Sequence, residues 1–188
     1  SEGNLCHPHG LYFYSKSKDE IDDFLKFGKQ FENTKFSFNY RRGITEVYVG
    51  QENQKNGNSM YKWLKELDLI DKKAIDKNIP QFIFTASQKT QQIFIAKLWQ
   101  GDGCINLKGV QVFYATSSKK LASDLSHLLL RFGILNTIHT KRFKYRESIK
   151  IGYTVVVSHR DMLIKFYKEF GSFFVGKKKD DLKKLYQS

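Results

Sequence analysis

Ile95-Ala-Lys-Leu-Trp-Gln-Gly-Asp-Gly103 decides how this chain is read. Its apolar residues predict a short helix, and Gly-Asp-Gly stops that helix so that Asp102 is presented at the C-terminal end. A carboxylate is poorly placed there. The helix macrodipole is negative at that end and disfavours an acid by about 0.3–1 kcal/mol unless a positive charge compensates. A bound divalent cation is the obvious compensator, because hard cations take carboxylate and backbone carbonyl oxygens. Taken alone, the stretch reads more readily as a simple turn between two glycines.

A second copy of the pattern shifts the balance. Glu2 stands in Ser-Glu-Gly-Asn, and similar text follows both acids. Leu11–Tyr14 and Val110–Tyr114 read as strands. Ile21, Phe24, Leu25 and Gly28 mark one amphipathic helix, and Leu121, Leu125, Leu128, Leu129 and Phe132 mark the other. Basic strand pairs follow, Phe36–Arg42 with Ile44–Val49 and Ile138–Arg146 with Ile149–Val157. Each half closes on a helix with an aromatic face, Met60–Leu64 and Met162–Tyr167. Repetition on this scale signals a pseudo-symmetric mixed α/β fold. Each repeat runs acid, strand, helix, strand, strand, helix, with Tyr12 and Tyr14, and Gln111 and Phe113, at alternate strand positions that share a face.

The helix starts carry capping signals. Ser17-x-x-Glu20 precedes a helix over Asp19–Phe31, Thr85-x-x-Gln88 opens the helix that ends at Asp102, and Ser158-x-x-Asp161 opens the last repeat helix. Asp68–Pro80 reads as a connection, with Pro80 fixing entry to Phe82–Thr85.

The composition favours a polyanionic partner. A formal charge of +13 on 188 residues is clustered at Arg41-Arg42, Lys141–Arg146 and Lys177–Lys179, with aromatics at 15%. A membrane is the other polyanion, but no apolar run approaches the roughly 20 residues a span needs. Cys6-His7-Pro8-His9 lacks the second ligand pair of a structural zinc site and reads as a loop. With two cysteines and no secretory signal, the chain fits a reducing compartment, cytoplasm or organelle stroma or matrix, and is not expected to be secreted.

Three further blocks complete the pattern: Phe113-Tyr-Ala-Thr-Ser-Ser118, Ser126–Ile134 and Gly152-Tyr-Thr-Val-Val-Val-Ser158. With Ile95–Ile105, this text resembles the LAGLIDADG homing endonucleases, and more narrowly the endonuclease domain of inteins inserted in replicative DnaB-type helicases. The resemblance is strong from Ile79 to Gly171. It is weaker in the first half, where Ser1–Asn4 is similar to the end of the first motif with Glu in place of Asp. Lys77-Asn-Ile-Pro80 resembles the block before the second motif, whose lysine is catalytic in the family.

The resemblance implies two αββαββα-like repeats with curved antiparallel DNA-binding sheets, residues 1–70 and 87–188, joined through 71–86 and lacking the first motif helix. It implies a monomer with internal pseudo-twofold symmetry, and site-specific cleavage of double-stranded DNA. The two motif helices would pack side by side and bring Glu2 and Asp102 together. Mg²⁺, with Mn²⁺ as the alternative, would be held by Glu2, Asp102 and the carbonyls of Ser1 and Gly101. Such metals lower the pKa of an attacking water and stabilise the leaving oxygen. Lys77, and Lys178 from the basic run, would stabilise charge at the phosphate. Tyr12, Tyr14, Arg41, Arg42, Gln111, Phe113, Lys141, Arg142, Lys144, Arg146 and Lys150 would contact DNA, arginine reading guanine and lysine adding salt-dependent affinity.

Two departures accompany the resemblance. Lys97 stands where the motif usually has a small residue at the helix interface. The chain begins at Ser1 and carries no splicing blocks, so it is expected to be a fragment, embedded in an intein and a host protein before splicing. That fragment is expected to expose the Trp99 face of its remaining motif helix and to be poorly active alone. The competing function is a nuclease-dead nucleic-acid-binding protein, a maturase or regulator, or a degenerate intein endonuclease.

Overall fold

The repeat of the sequence returns as a repeat of topology. In the computed structural model, which describes residues 3–4, 10–53, 57–145 and 147–187, contacts divide the chain into units 1–73 and 74–188. The first unit runs β1 (Gly3–Asn4), β2 (Leu11–Ser15), α1 (Lys18–Gly28), β3 (Lys35–Arg41), β4 (Ile44–Gly50) and α2 (Ser59–Glu66). The second begins with a 3-10 turn at Ala74–Asp76, then α3 (Gln81–Thr85), α4 (Gln88–Asp102), β5 (Gly103–Asn106) and β6 (Gln111–Thr116). It continues through α5 (Lys119–Arg131), β7 (Thr137–Tyr145), β8 (Ser148–Val157), α6 (Arg160–Phe170) and α7 (Gly176–Gln187). From α4 to α6 this is αββαββα. The sheets are ordered β1-β2-β4-β3 and β5-β6-β8-β7, antiparallel throughout.

The correspondence extends to single hydrogen bonds. Ser15 Oγ accepts from the Ser17 N–H at 3.0 Å, and Thr116 Oγ1 accepts from the Ser118 N–H at 3.1 Å, each turning a strand into the next helix. The strands β1 and β5, which directly follow the acid positions, were not anticipated. At two and four residues they are too short for alternation to register.

All three capping signals need correction. Ser17 is the residue before α1, but its side chain caps nothing; Ser15 Oγ instead donates to Glu20 at 2.5 Å, and α1 ends at Gly28 rather than Phe31. Helix α4 is capped by Ser87, whose Oγ accepts from the Thr90 N–H, while Thr85 ends α3. His159, not Ser158, precedes α6 and makes no capping bond. Hydroxyls two residues apart compete for one helix start, and backbone geometry decides between them.

In the second unit, Ile95, Ala96 and Trp99 of α4 are fully buried with Val112, Leu125, Leu128, Leu129, Val155, Val157, Phe166 and Phe170. Ile79 and Ile83 join this core, so much of the segment read as a connection packs with the second unit. Spacing of four places Gln91, Ile95 and Trp99 on one buried stripe of α4. The expectation that Trp99 is exposed is therefore wrong. Its ring lies 5.0 Å from Phe166 and 5.8 Å from Tyr114, centroid to centroid, and it closes the core of its own unit. The first unit is thinner, with Leu11, Val49 and Met60 clustered under partly buried Phe24, Phe36 and Leu64.

Trp99 explains why glycine follows Asp102. A Cβ on Gly103 would sit 2.1 Å from Trp99 Cδ1 and 2.6 Å from the Trp99 carbonyl oxygen, although the backbone φ of −73° suits any residue. Neither obstacle can swing away, because the ring is enclosed and the other atom is backbone. Overpacking of a rigid core costs about 1–3 kcal/mol or more. Gly103→Ala is expected to lower the unfolding free energy by about 3 kcal/mol in urea denaturation, whereas Gly43→Ala, where the added Cβ meets nothing, should cost much less despite its positive φ.

Candidate nucleic-acid interface and acidic helix end

The charge conflict read at Asp102 is answered within the fold. Asp102 is the last residue of α4 and is exposed. Lys178, from the first turn of α7, turns its ammonium onto the same helix end. Its Nζ donates to the carbonyls of Gln100 at 2.6 Å, Gly101 at 2.8 Å and Trp99 at 3.4 Å. The Gln100 and Gly101 carbonyls are among the last of the helix, which lack intrahelical partners and carry its partial negative charge, whereas the Trp99 carbonyl also accepts from the Gly103 N–H. A resident lysine thus supplies compensation that the sequence suggested a metal would supply. The sequence could have shown this only through the packing of α7, some 75 residues downstream.

Gln100 is buried and its Oε1 accepts from the Val175 N–H at 3.1 Å, fixing the approach to α7 beside the helix end. Lys97, read as an obstacle at the motif interface, is half-buried and donates to the Phe173 carbonyl at 2.6 Å. Tyr114 OH donates to Asp102 Oδ2 across a long 3.4 Å. Burial pushes the Tyr114 phenol up to about 12, so it remains a donor to the carboxylate well beyond neutral pH.

The donor set fits a hard divalent cation. Asp102 offers a solvent-facing carboxylate, and the Gly101 carbonyl has a second lone pair beside the one that Lys178 uses. Mg²⁺ sites commonly use one or two carboxylates and fill the remaining positions with water and phosphate oxygens. Among the described residues, no cluster of three or more His, Cys, Asp or Glu forms a metal cage. Glu2, Ser1 and the Cys6-His7-Pro8-His9 loop lie outside the described residues. Lys77 has its backbone pinned, with Ser118 Oγ donating to its carbonyl at 2.5 Å, and the adjoining Ile79 N–H bonds Asp124 Oδ2 at 3.3 Å.

Strand register sorts the expected DNA contacts by face. In the first sheet, Leu11, Val47 and Val49 mark the core side, leaving Tyr12, Tyr14, Ser37, Asn39, Arg41, Glu46 and Tyr48 on the other. The Tyr12 ring stacks on Tyr14 at 6.0 Å and meets Tyr48 at 5.1 Å. Arg42 lies in the β3–β4 turn at φ 53°. In the second sheet, Val112, Tyr114, Val155 and Val157 face the core, and the open face carries Gln111, Phe113, His139, Lys141 and Lys150. Arg142 and Lys144 fall on the opposite face of the same exposed hairpin. The expectation grouped them with Lys141 because a run of basic residues does not show which face each occupies. Arg146 lies outside the described residues. Among the described residues, no helix is long and apolar enough to cross a membrane.

With this geometry in view, similarity to known proteins is informative. Residues 89–171 match the family model of the LAGLIDADG-like domain. The chain is 32% identical over 120 residues to the replicative DNA helicase DnaB of Rhodothermus marinus, covering 61% of this chain and 12% of that protein. It is 37% identical over 100 residues to DnaB of Synechocystis sp., covering 50% and 11%. Among solved structures it is similar to the homing endonuclease I-DmoI in complex with DNA and Ca, with a TM-score of 0.61 and 17% identity over 96% of this chain and 88% of that one. Other I-DmoI structures with DNA were determined with Mn or Mg. Residues 89–171 are thus a LAGLIDADG-like domain, and the chain has the LAGLIDADG homing-endonuclease fold. It spans only about an eighth of the helicases it matches.

Two expectations follow from the helix end. Lys178→Met should lower stability by about 1–2 kcal/mol, because it strips a charged donor from helix-terminal carbonyls. Chemical denaturation of the two proteins measures this directly. Tyr114 has a raised folded-state pKa, so its stabilisation is complete below about pH 10 and fades as pH rises through about 12. Tyr114→Phe should flatten the loss of thermal stability across that alkaline window relative to the parent.

Proposed function

We infer that this chain is the endonuclease part of an intein-type homing endonuclease, which binds a specific duplex and hydrolyses its phosphodiester bonds with divalent metal. The observation that carries this reading is the exposed Asp102 carboxylate, set beside the Gly101 carbonyl at the end of a helix that the buried Trp99 and Gly103 hold rigid. Similarity to helicase DnaB proteins and to DNA-bound I-DmoI supports it, as does the basic charge. A divalent ion bound here would lower the pKa of a water and stabilise charge on the leaving oxygen.

The protein's own groups then have definable tasks. Asp102, with the Gly101 carbonyl, supplies oxygen ligands, and Glu2 with the Ser1 carbonyl is the corresponding set from the first repeat. Tyr114 OH orients the Asp102 carboxylate from its buried side. Lys178 neutralises the helix end so that a second negative group, the scissile phosphate, is tolerated near it. Lys77 provides a further cation for the phosphate. Lys141, Lys150 and Arg41 on the open sheet faces supply groove and backbone contacts; a two-stranded ribbon fits the major groove.

One observation favours the competing, nuclease-dead reading. Lys178 already balances the helix end, so folding of this unit does not demand a metal. A cleavage assay separates the two. Incubated with Mg²⁺ and a library of uninterrupted helicase-gene fragments, the parent should cut one site into short staggered ends, slowly where residues 1–188 stand alone. Asp102→Asn should bind the same site and lose at least about a hundredfold in cutting rate. Binding by both proteins with cutting by neither identifies the chain as a recognition module without chemistry.

A further inference from the structure

The open face of the first sheet carries one carboxylate among its described residues, Glu46, at its centre. Register places it directly opposite Tyr14 on β2 and Asn39 on β3, one pair away from Tyr12, Ser37 and Tyr48 on one side and from Arg41 and Ile44 on the other. It is half-buried, and the ion pairs among the described residues do not involve it. Its charge is felt by Tyr14, whose phenol is raised first by burial and then by Glu46 and Tyr12. The open face of the second sheet carries cations and no carboxylate among its described residues.

On a surface that meets DNA, this acid is costly. Phosphates repel a carboxylate over roughly 8–10 Å at ordinary salt, and every duplex presents them. A carboxylate weakens binding to all sequences unless it accepts a hydrogen bond that some sequences offer. In the major groove the amino donors are cytosine N4 and adenine N6. Glutamate pairs with cytosine, whereas adenine, which presents a donor beside an acceptor, suits an amide. The neighbouring tyrosines group beside it, Tyr12 stacked on Tyr14 at 6.0 Å and 5.1 Å from Tyr48, centroid to centroid.

We propose that Glu46 is a specificity-determining residue that reads a cytosine of the target half-site under the first sheet. This rests on the reading of the chain as a DNA-binding protein. The two sheets then differ in kind. The first selects sequence through Glu46, with Arg41 and its polar and aromatic neighbours beside it, and the second contributes salt-dependent affinity through Lys141 and Lys150.

The test is selection of a randomised duplex library by the full chain in Ca²⁺ buffer, alongside Glu46→Gln, Glu46→Ala and Lys141→Ala. The parent is expected to select a motif with one cytosine that Glu46→Gln converts to adenine, leaving the other positions unchanged. Glu46→Ala should lose preference at that position by about tenfold. Both Glu46 variants should bind random duplex several-fold more tightly than the parent, and Lys141→Ala should bind every sequence more weakly. Thermal melts confirm that all variants fold. If parent and both Glu46 variants select the same motif, Glu46 reads no base, although DNA recognition by the chain stands. If the parent selects no motif at all, the DNA-binding reading fails and the proposal fails with it.

Discussion

A helix that ends in Gln-Gly-Asp creates an electrostatic problem, and much of the second unit is arranged around it. The carbonyls of Trp99, Gln100 and Gly101 converge on one ammonium, Lys178 Nζ, and the carboxylate of Asp102 projects past them. Without a cation at that point, the acid would add to the negative end of the dipole. With it, the helix can terminate abruptly and pass directly into β5. The abrupt exit has its own requirement, a Cα with no side chain pressed against the Trp99 ring, which Gly103 meets. Lys178 therefore links α7 to the helix end, and Trp99 links that end to the core formed by α6 and the sheet.

This arrangement separates what stabilises the fold from the carboxylate proposed to bind metal. Trp99, Phe166, Phe170 and the valines of β6 and β8 give the unit a core that needs no ligand. Asp102 stands outside that core, exposed at the end of α4, with Tyr114 OH 3.4 Å from its carboxylate. An exposed acid on a helix end that the core holds in place suits the metal-binding role proposed for it. The same division applies to the sheets. On the core side Leu11, Val47 and Val49 of the first sheet match Val112, Val155 and Val157 of the second, while the open faces differ in charge, aromatic content and hydrogen-bonding groups.

Much of this was legible in the sequence, because it rests on periodicity and repetition. Strand pairs, the amphipathic helices and the end of α4 at Asp102 all follow from local patterns that tertiary packing reinforced. What escaped was set by distance or direction. The Lys178 cap joins residues far apart in sequence. The burial of Trp99 depends on which neighbours α4 has, which its amphipathic pattern does not state. Arg142 and Lys144 lie on a different face from Lys141 because side chains alternate along a strand, a fact that a run of basic residues conceals. The helix starts were misplaced by one or two residues where several hydroxyls compete for the same role.

As proposed above, the end of α4 is a metal-ready carboxylate rather than only a capped turn. Titration of Mn²⁺ into the isotopically labelled protein, with amide relaxation followed residue by residue, addresses it most directly. Broadening is expected to begin at Gly101, Asp102, Gly103 and Cys104 and to be abolished in Asp102→Asn. Uniform broadening, or broadening centred elsewhere and indifferent to that substitution, would contradict it.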